Sequence, residues 1–172
     1  MSGTIRPATA DDAEFLEAIE SSADALLVDA LRASEWPPAG DGAARLSAPG
    51  FVLVMVDELT HSPVGFVHVL DAEGHAHLEQ LSVLPASGRR GYGRALVIAA
   101  LQEARERGYS RVTLRTYAEV AWNAPFYASC GFLESLPETA FQRSLVETEN
   151  ALGLQRYGRR IQMTAELGDA QR

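Results

Sequence analysis

Residues Leu78–Arg94 read LEQLSVLPASGRRGYGR, an apolar strand that enters a glycine- and arginine-rich turn just before the amphipathic pattern of a long helix. Glycines at 88, 91 and 93 permit positive φ and close approach of a ligand, so that successive backbone N–H groups can converge on one anion. The helix behind the turn adds its N-terminal dipole and its unpaired N–H donors. Arg89, Arg90 and Arg94 reverse the local sign on a chain whose formal charge is −8. Without an anion to meet, each would oppose the helix dipole by about 0.3–1 kcal/mol. The stretch is read as a pyrophosphate cradle. It is neither the dinucleotide pattern G-x-G-x-x-G nor a Walker A loop, which needs a lysine and a hydroxyl residue.

The run Gly88-Arg89-Arg90-Gly91-Tyr92-Gly93, followed by Arg94, resembles the acetyl-CoA signature Q/R-x-x-G-x-G/A of the GCN5-related N-acetyltransferases (GNAT), with Gly88 in place of the first Gln or Arg. Downstream, Trp122-Asn123-Ala124-Pro125-Phe126-Tyr127 leads to Cys130-Gly131-Phe132 and resembles that family's N-x-x-F-Y-x-x-x-G-F segment. The likeness runs from Thr4–Thr9 to Arg160–Met163 and is weakest in residues 26–50 and 136–158, where such enzymes choose their substrates. It implies one N-acetyltransferase domain over residues 1–172, with acetyl-CoA as cosubstrate. The implied α/β (α+β) fold is a mixed, mostly antiparallel sheet of about six or seven strands flanked by helices. In that family the cradle amides hold the CoA pyrophosphate, and a gap between the fourth and fifth strands receives the pantetheine arm. The matching strand here is Leu81-Ser82-Val83, where the N–H of Leu81 or Val83 would polarise the thioester carbonyl. Asn123 would bond the arm or a backbone carbonyl, and Phe126 would lie beside it.

Acyl transfer to an amine also needs proton management. A lysine-like ammonium, with a pKa of about 10.4, has no nucleophilic lone pair until it loses a proton. Period-two alternation sends His75, His77, Glu79 and Leu81 to one face of their strand and Ala76, Leu78 and Gln80 to the other. The family's base or water-relaying residue stands four or two places before the match to Leu81, at His77 or Glu79. Glu79 is preferred, since a carboxylate at a cleft both attracts the ammonium and accepts its proton once burial raises its pKa. His77 competes, because imidazole is neutral near pH 7 without tuning. Tyr127 is the candidate acid for the departing thiolate, a transfer uphill by about 1.5 pKa units.

Composition limits the alternatives. The balance of 15 basic against 23 acidic residues argues against nucleic acid, whose binding rests on basic patches, and favours a cationic partner. The expected partner is an amine, on a small molecule or on a peptide or protein. The start shows no basic segment leading into an apolar run, and no stretch nears the roughly 18 apolar residues of a membrane span, so a cytoplasmic protein without membrane contact is expected. Cys130 is the single cysteine, read as a small buried hydrophobe, and four scattered histidines offer no metal-ligand spacing. A homodimer through the last strands rests on family analogy. The rival functions are a non-catalytic CoA-binding module of the same fold, and a nucleotide-binding module that uses the arginine-rich turn alone.

Along the chain, Thr4–Thr9 reads as a strand, and Thr9 with Asp12 as a capping box before a helix through Phe15, Leu16 and Ile19. A separate helix is predicted at residues 24–33, then a loop at 37–50. Glu20, Asp24, Asp29 and Glu35 on the early helices are read as an exposed helix face, with contacts to a cationic acceptor as the alternative. Strands at 51–56, 64–70 and 77–84 form an antiparallel meander. A helix at 90–107 stopped by Gly108, a strand at 111–117, a short helix at 123–130, a strand from Phe132, a helix between 137 and 153 and a closing strand at 160–163 complete the order. Strand, helix, strand predicts a right-handed crossover with local parallel pairing.

Overall fold

In the computed structural model, which describes residues 2–168, β1 (Gly3–Pro7) pairs antiparallel with β2 (Gly50–Asp57). β2 continues through β3 (Pro63–Ala72) and β4 (His75–Val83) as the expected meander. The first half of the chain between them folds as α1 (Ala13–Leu31) and α2 (Gly42–Ser47). α1 is one 19-residue helix rather than a short helix and a separate one, because Ser21-Ser22-Ala23 contains no breaker and the chain leaves the helix only at Arg32, in the left-handed region at φ 52°. Its start is secured by the Asp12 carboxylate, which accepts from the Thr9 N–H at 2.7 Å and from Arg6 at 2.8 Å. The expected loop at 37–50 contains α2, whose start is capped by Asp41 Oδ1 accepting from the Ala43 N–H at 2.9 Å. α2 lies so close to α1 that a Cβ on Gly42 would stand 1.9 Å from the Ala13 carbonyl oxygen, and only glycine fits there.

After β4 the chain forms α3 (Tyr92–Glu106), β5 (Arg111–Tyr117), α4 (Ala124–Ser129), β6 (Leu133–Ser135), α5 (Ala140–Leu152) and β7 (Arg160–Glu166). The seven strands lie in the order β1-β2-β3-β4-β5-β7-β6. The closing strand is thus inserted between β5 and β6, and leaves the three-residue β6 as the edge. One face of the sheet carries Leu53, Met55, Val67, Leu78, Val112, Leu114 and Met163 against Leu96, Val97 and Ala100 of α3. The other carries Val52, Val54 and Phe66 against Leu16 and Ile19 of α1. Among the described residues no helix is long and apolar enough to cross a membrane.

Two irregularities in β4 position the site. Leu78 stands opposite Val69 and Gln80 opposite His68, so Glu79 has no partner on β3 and forms a bulge. The bulge overturns the simple alternation expected for this strand. Ala76 and Leu78 face α3 before it, Leu81 and Val83 pack toward α3 after it, and His77 shares its face with the buried Ser82 instead. The second irregularity is that β4 and β5 pair in parallel only at Ala76–Val112 and His77–Thr113. Beyond these two pairs the strands part.

Candidate active site

The parted strands open a cleft of about 690 Å³ through the middle of the sheet. Its walls are Leu78–Leu84 of β4, Leu114–Thr116 of β5, the turn before α3, the start of α4, and Asp24 with Leu27 from α1. Leu84 donates its N–H to the Val64 carbonyl at 2.8 Å. By alternation Ser82 points its N–H the same way, and the N–H groups of Leu81 and Val83 point to the open edge. An extended amide-bearing chain laid in the cleft would meet them as it would meet a strand.

At one end of the cleft stands the N-terminus of α3. The turn takes positive φ at Arg89 (62°) and Gly91 (78°), whereas Gly88 is extended and Gly93 is helical. The helix begins two residues later than the sequence pattern indicates, with Gly91 as N-cap and no side chain to cap it. The first helical bond runs from the Ala95 N–H to the Gly91 carbonyl, so the N–H groups of Tyr92, Gly93 and Arg94 precede it unpaired. α5, by contrast, has Thr139 Oγ1 accepting from the Gln142 N–H at 3.1 Å. A 15-residue helix left uncapped toward a cleft presents its free N–H groups and the positive end of its dipole there.

The arginines of the turn divide. Arg89 is exposed at the cleft mouth. Arg90, expected in the cradle, turns away to within 3.9 Å of Asp57 and does not line the cleft. Arg94 is engaged by α4, donating to Ser129 Oγ at 2.7 Å and to the Ser129 carbonyl at 3.2 Å, with its guanidinium 5.6 Å from the Phe126 ring centre. Tyr92 is 1% exposed, its ring packed near Met55 under β1, so only its backbone can serve the cradle.

α4 supplies the opposite lip. Asn123 Oδ1 accepts from Thr116 Oγ1 at 2.8 Å, and its NH2 makes no hydrogen bond among the described residues. The Tyr127 ring is held edge-on by Phe126 (5.3 Å between centres) and Phe132 (5.7 Å), and burial pushes its phenol well above the usual value. Cys130 ends α4, half-buried.

Glu79 lines the cleft from its bulge. Its side chain is exposed in this concave wall, where desolvation by the surrounding atoms raises its carboxyl pKa, with Arg45 opposing the rise and Glu20 adding to it. His77 does not line the main cleft. Its Nδ1 pairs with Thr113 Oγ1 at 2.9 Å, its ring meets Phe141 edge-on at 5.3 Å, and burial, reinforced by Arg115, lowers its pKa to about 4. The bulge is what separates the two residues that the alternation put side by side.

A profile of the acetyltransferase (GNAT) family matches residues 16–132. The chain belongs to the GNAT family. Among solved structures its fold is similar to the ribosomal-protein-S18-alanine N-acetyltransferase from Escherichia coli, with TM-score 0.69 at 21% identity, covering 96% of this chain and 94% of that one. It is similar also to the paia N-acetyltransferase of Thermoplasma acidophilum in complex with coenzyme A, with TM-score 0.68 at 15% identity over 96% and 99% of the two chains. The N-acetylglutamate synthase of Neisseria gonorrhoeae, complexed with coenzyme A and N-acetyl-glutamate, gives TM-score 0.65 at 16% identity over 97% of this chain and 35% of that one. The mixed seven-stranded sheet with flanking helices is the GNAT fold.

In this GNAT chain α1 supplies one wall of the cleft from a stretch read mainly as surface. Glu20 is buried and paired with Arg45 at 2.8 Å, and Arg45 also meets His68 Nδ1 at 2.9 Å. Asp24 lines the cleft, and burial with the nearby Glu20 raises its pKa to about 6 against opposing contributions from Trp36 and Arg45. Both therefore leave the exposed face expected for them. The signal was present: Leu16, Glu20, Ala23, Asp24 and Leu27 fall on one stripe at helical spacing. Asp29 and Glu35 are exposed, Glu35 pairing with Arg156 at 3.2 Å.

Proposed function

We propose that this protein transfers an acetyl group from acetyl-CoA to a primary amine, by direct attack in a ternary complex. The observation that carries the reading is one continuous cleft with an uncapped helix N-terminus at one end and a pKa-raised carboxylate, Glu79, toward the other. Bound there, acetyl-CoA supplies the thioester that the amine attacks. The N–H groups of Tyr92, Gly93 and Arg94, with the Arg89 side chain, hold the pyrophosphate. Leu81 and Val83 pair with the pantetheine amides along the open edge, one of their N–H groups donating to the acyl carbonyl oxygen. Such a donor in an apolar cleft contributes about 2.7–4 kcal/mol. The Asn123 NH2 holds the arm from the other lip.

Glu79 takes the proton from the incoming ammonium, directly or through one water. A carboxylate with a raised pKa is the better base, and in its ionised form it also attracts the cation. Asp24 adds a second negative group on the approach. His77, neutral and buried outside the main cleft, maintains the strand beneath Glu79 instead. Tyr127 returns a proton to the thiolate; the desolvation that weakens it as an acid also makes the thiolate a stronger base. The same reading takes residues 1–172 as one catalytic unit working in the cytoplasm. A non-catalytic CoA binder has no use for Glu79 and Asp24 in these surroundings.

Calorimetric titration with acetyl-CoA, desulfo-CoA and ATP, followed by thiol release across an amine panel, tests the reading. Micromolar binding of both CoA compounds with weak ATP binding, and release that requires an amine, is the expected result. CoA binding without release for any amine would leave the binding module.

A further inference from the structure

Behind Glu79, between β4, β5 and α5, lies a second cavity of about 180 Å³ that shares Leu78, Glu79, Arg115 and Arg160 with the main cleft. Its walls hold a buried ion group of uneven charge. Arg115 donates to Glu149 through Nε and Nη2, both at 3.0 Å. Arg160 donates to the same carboxylate through Nε at 3.1 Å and Nη2 at 2.9 Å. Burial pushes Glu149 up, but the bonds from Arg160 and Arg115 outweigh it and hold the carboxyl below its usual range. Two guanidinium groups thus share one carboxylate, with side chains only 9% and 12% exposed.

The group carries one positive charge in excess, in surroundings where an unpaired charge is costly. Among the described residues, the one other charged group lining the cavity is Glu79, which the reading above reserves for the acceptor's amine; His77 is neutral, and Tyr117, whose ring centre lies 4.5 Å from the Arg160 guanidinium, is held protonated by burial. Each Nη1 makes no hydrogen bond among the described residues, and neither is sealed from solvent. Both arginines line the two connected spaces, and their Nη1 groups are the nitrogens left without a partner among the described residues.

We propose that this side cavity is a carboxylate subsite, and that the acceptor is a zwitterion whose amine sits at Glu79 while its carboxylate meets Nη1 of Arg115 and of Arg160. The proposal rests on the amine-acetylation reading above and narrows it to amino acids. A monoanion neutralises the excess charge; a phosphate dianion would leave Glu149 facing a net negative site. Glu149 acts as a positioning residue, locking both guanidinium planes through Nε and Nη2 and leaving their third nitrogens free for the ligand. Leu145 and Thr148 of α5 close the far wall.

The test compares phenylalanine, methionine and lysine with their amides and their decarboxylated amines as acceptors, in the unmodified protein, in Arg160→Gln and in Thr148→Phe. Arg160→Gln removes the excess charge without stranding Glu149, and Thr148→Phe fills the cavity from an exposed position and leaves the ion group intact. The expected result is a preference of about 10- to 100-fold in kcat/KM for at least one free amino acid over its two counterparts that lack the carboxylate, expressed mainly in KM. Both variants should erase that preference while KM for acetyl-CoA stays constant. Equal use of the amides and decarboxylated amines, or a preference that survives both variants, would overturn the subsite. If no amine is acetylated at all, the catalytic reading fails. The subsite is then judged by calorimetry with the same free amino acids: binding lost in Arg160→Gln upholds it, and absence of binding overturns it.

Discussion

Thr116 on β5 gives its hydroxyl hydrogen to Asn123 Oδ1 at 2.8 Å, and this bond ties the free end of the parted strand to the start of α4. Asn123 also accepts from the Tyr117 N–H at 3.5 Å. One amide side chain therefore holds the lip of the cleft with its oxygen and offers its NH2 to whatever enters. Asn123→Ala should lower stability by about 1–3 kcal/mol, because the hydroxyl of the buried Thr116 loses its acceptor. It should also weaken acetyl-CoA binding, whereas Asn123→Asp should recover the stability and not the binding. Thermal melting and calorimetry on the two variants separate these effects.

Glu79→Gln should reduce turnover about 10²–10⁴-fold with a good amine acceptor. In the unmodified protein kcat/KM should fall on the acid side as Glu79 takes up a proton, at a pH above that of an ordinary glutamate because its pKa is raised. The variant should lack that limb. His77→Ala should alter stability far more than the pH profile. An unchanged acid limb in Glu79→Gln would remove the base from this residue.

Asp24 carries a stability cost with a defined sign. Its folded-state pKa of about 6 lies above the unfolded value of 3.8, so the native state holds the proton more tightly and loses stability as pH rises between those values. Asp24→Asn should melt higher than the unmodified protein at pH 8, by about 1–2 kcal/mol after allowance for screening, and the advantage should vanish at pH 3.5. Melting curves taken across that range read it directly.

Tyr127→Phe keeps the ring between Phe126 and Phe132, so folding and KM for acetyl-CoA should hold. Turnover should drop by about 10- to 100-fold if the phenol protonates the thiolate. Turnover and alkaline limb both unchanged would assign that proton to water.

Gly91→Ala places a side chain at φ 78°, a conformation that costs an L-residue about 1–2 kcal/mol. The larger effect should be on acetyl-CoA affinity, since the three free N–H groups of α3 are aimed by this residue. Calorimetric titration beside a melting curve distinguishes lost aim from lost fold.

The sequence made the meander, the crossover around α3 and the two motif segments legible, because each is local: strand periodicity, turn glycines and helix stops act within a few residues. The bulge at Glu79 was not legible. It arises from register against His68 and Val69 on β3, and nothing within HAHLEQL marks which residue goes unpaired. His77 and Glu79 therefore looked equivalent along the strand and proved to occupy different spaces. The turn itself was legible from its glycines, while the directions taken by the side chains of Arg90, Tyr92 and Arg94 were not, because their neighbours Asp57, Met55 and Ser129 are distant in the chain. The Arg115–Glu149–Arg160 group depends on α5 meeting β5 and β7, contacts that no spacing rule encodes.

The open start of α3 also makes the fold answerable to metabolism. A ligand that binds only the folded chain stabilises it by mass action, about 2.7 kcal/mol at a hundredfold excess over its dissociation constant. Here such a ligand would complete the helix itself, supplying the acceptors that Thr139 and Asp41 supply to α5 and α2. Under the proposed reading, a shortage of acyl donor would make the first turn of α3 the place to fray and would enlarge the population open to proteolysis. The abundance of the protein would then follow the supply of its own cosubstrate, with no regulator other than a missing cap.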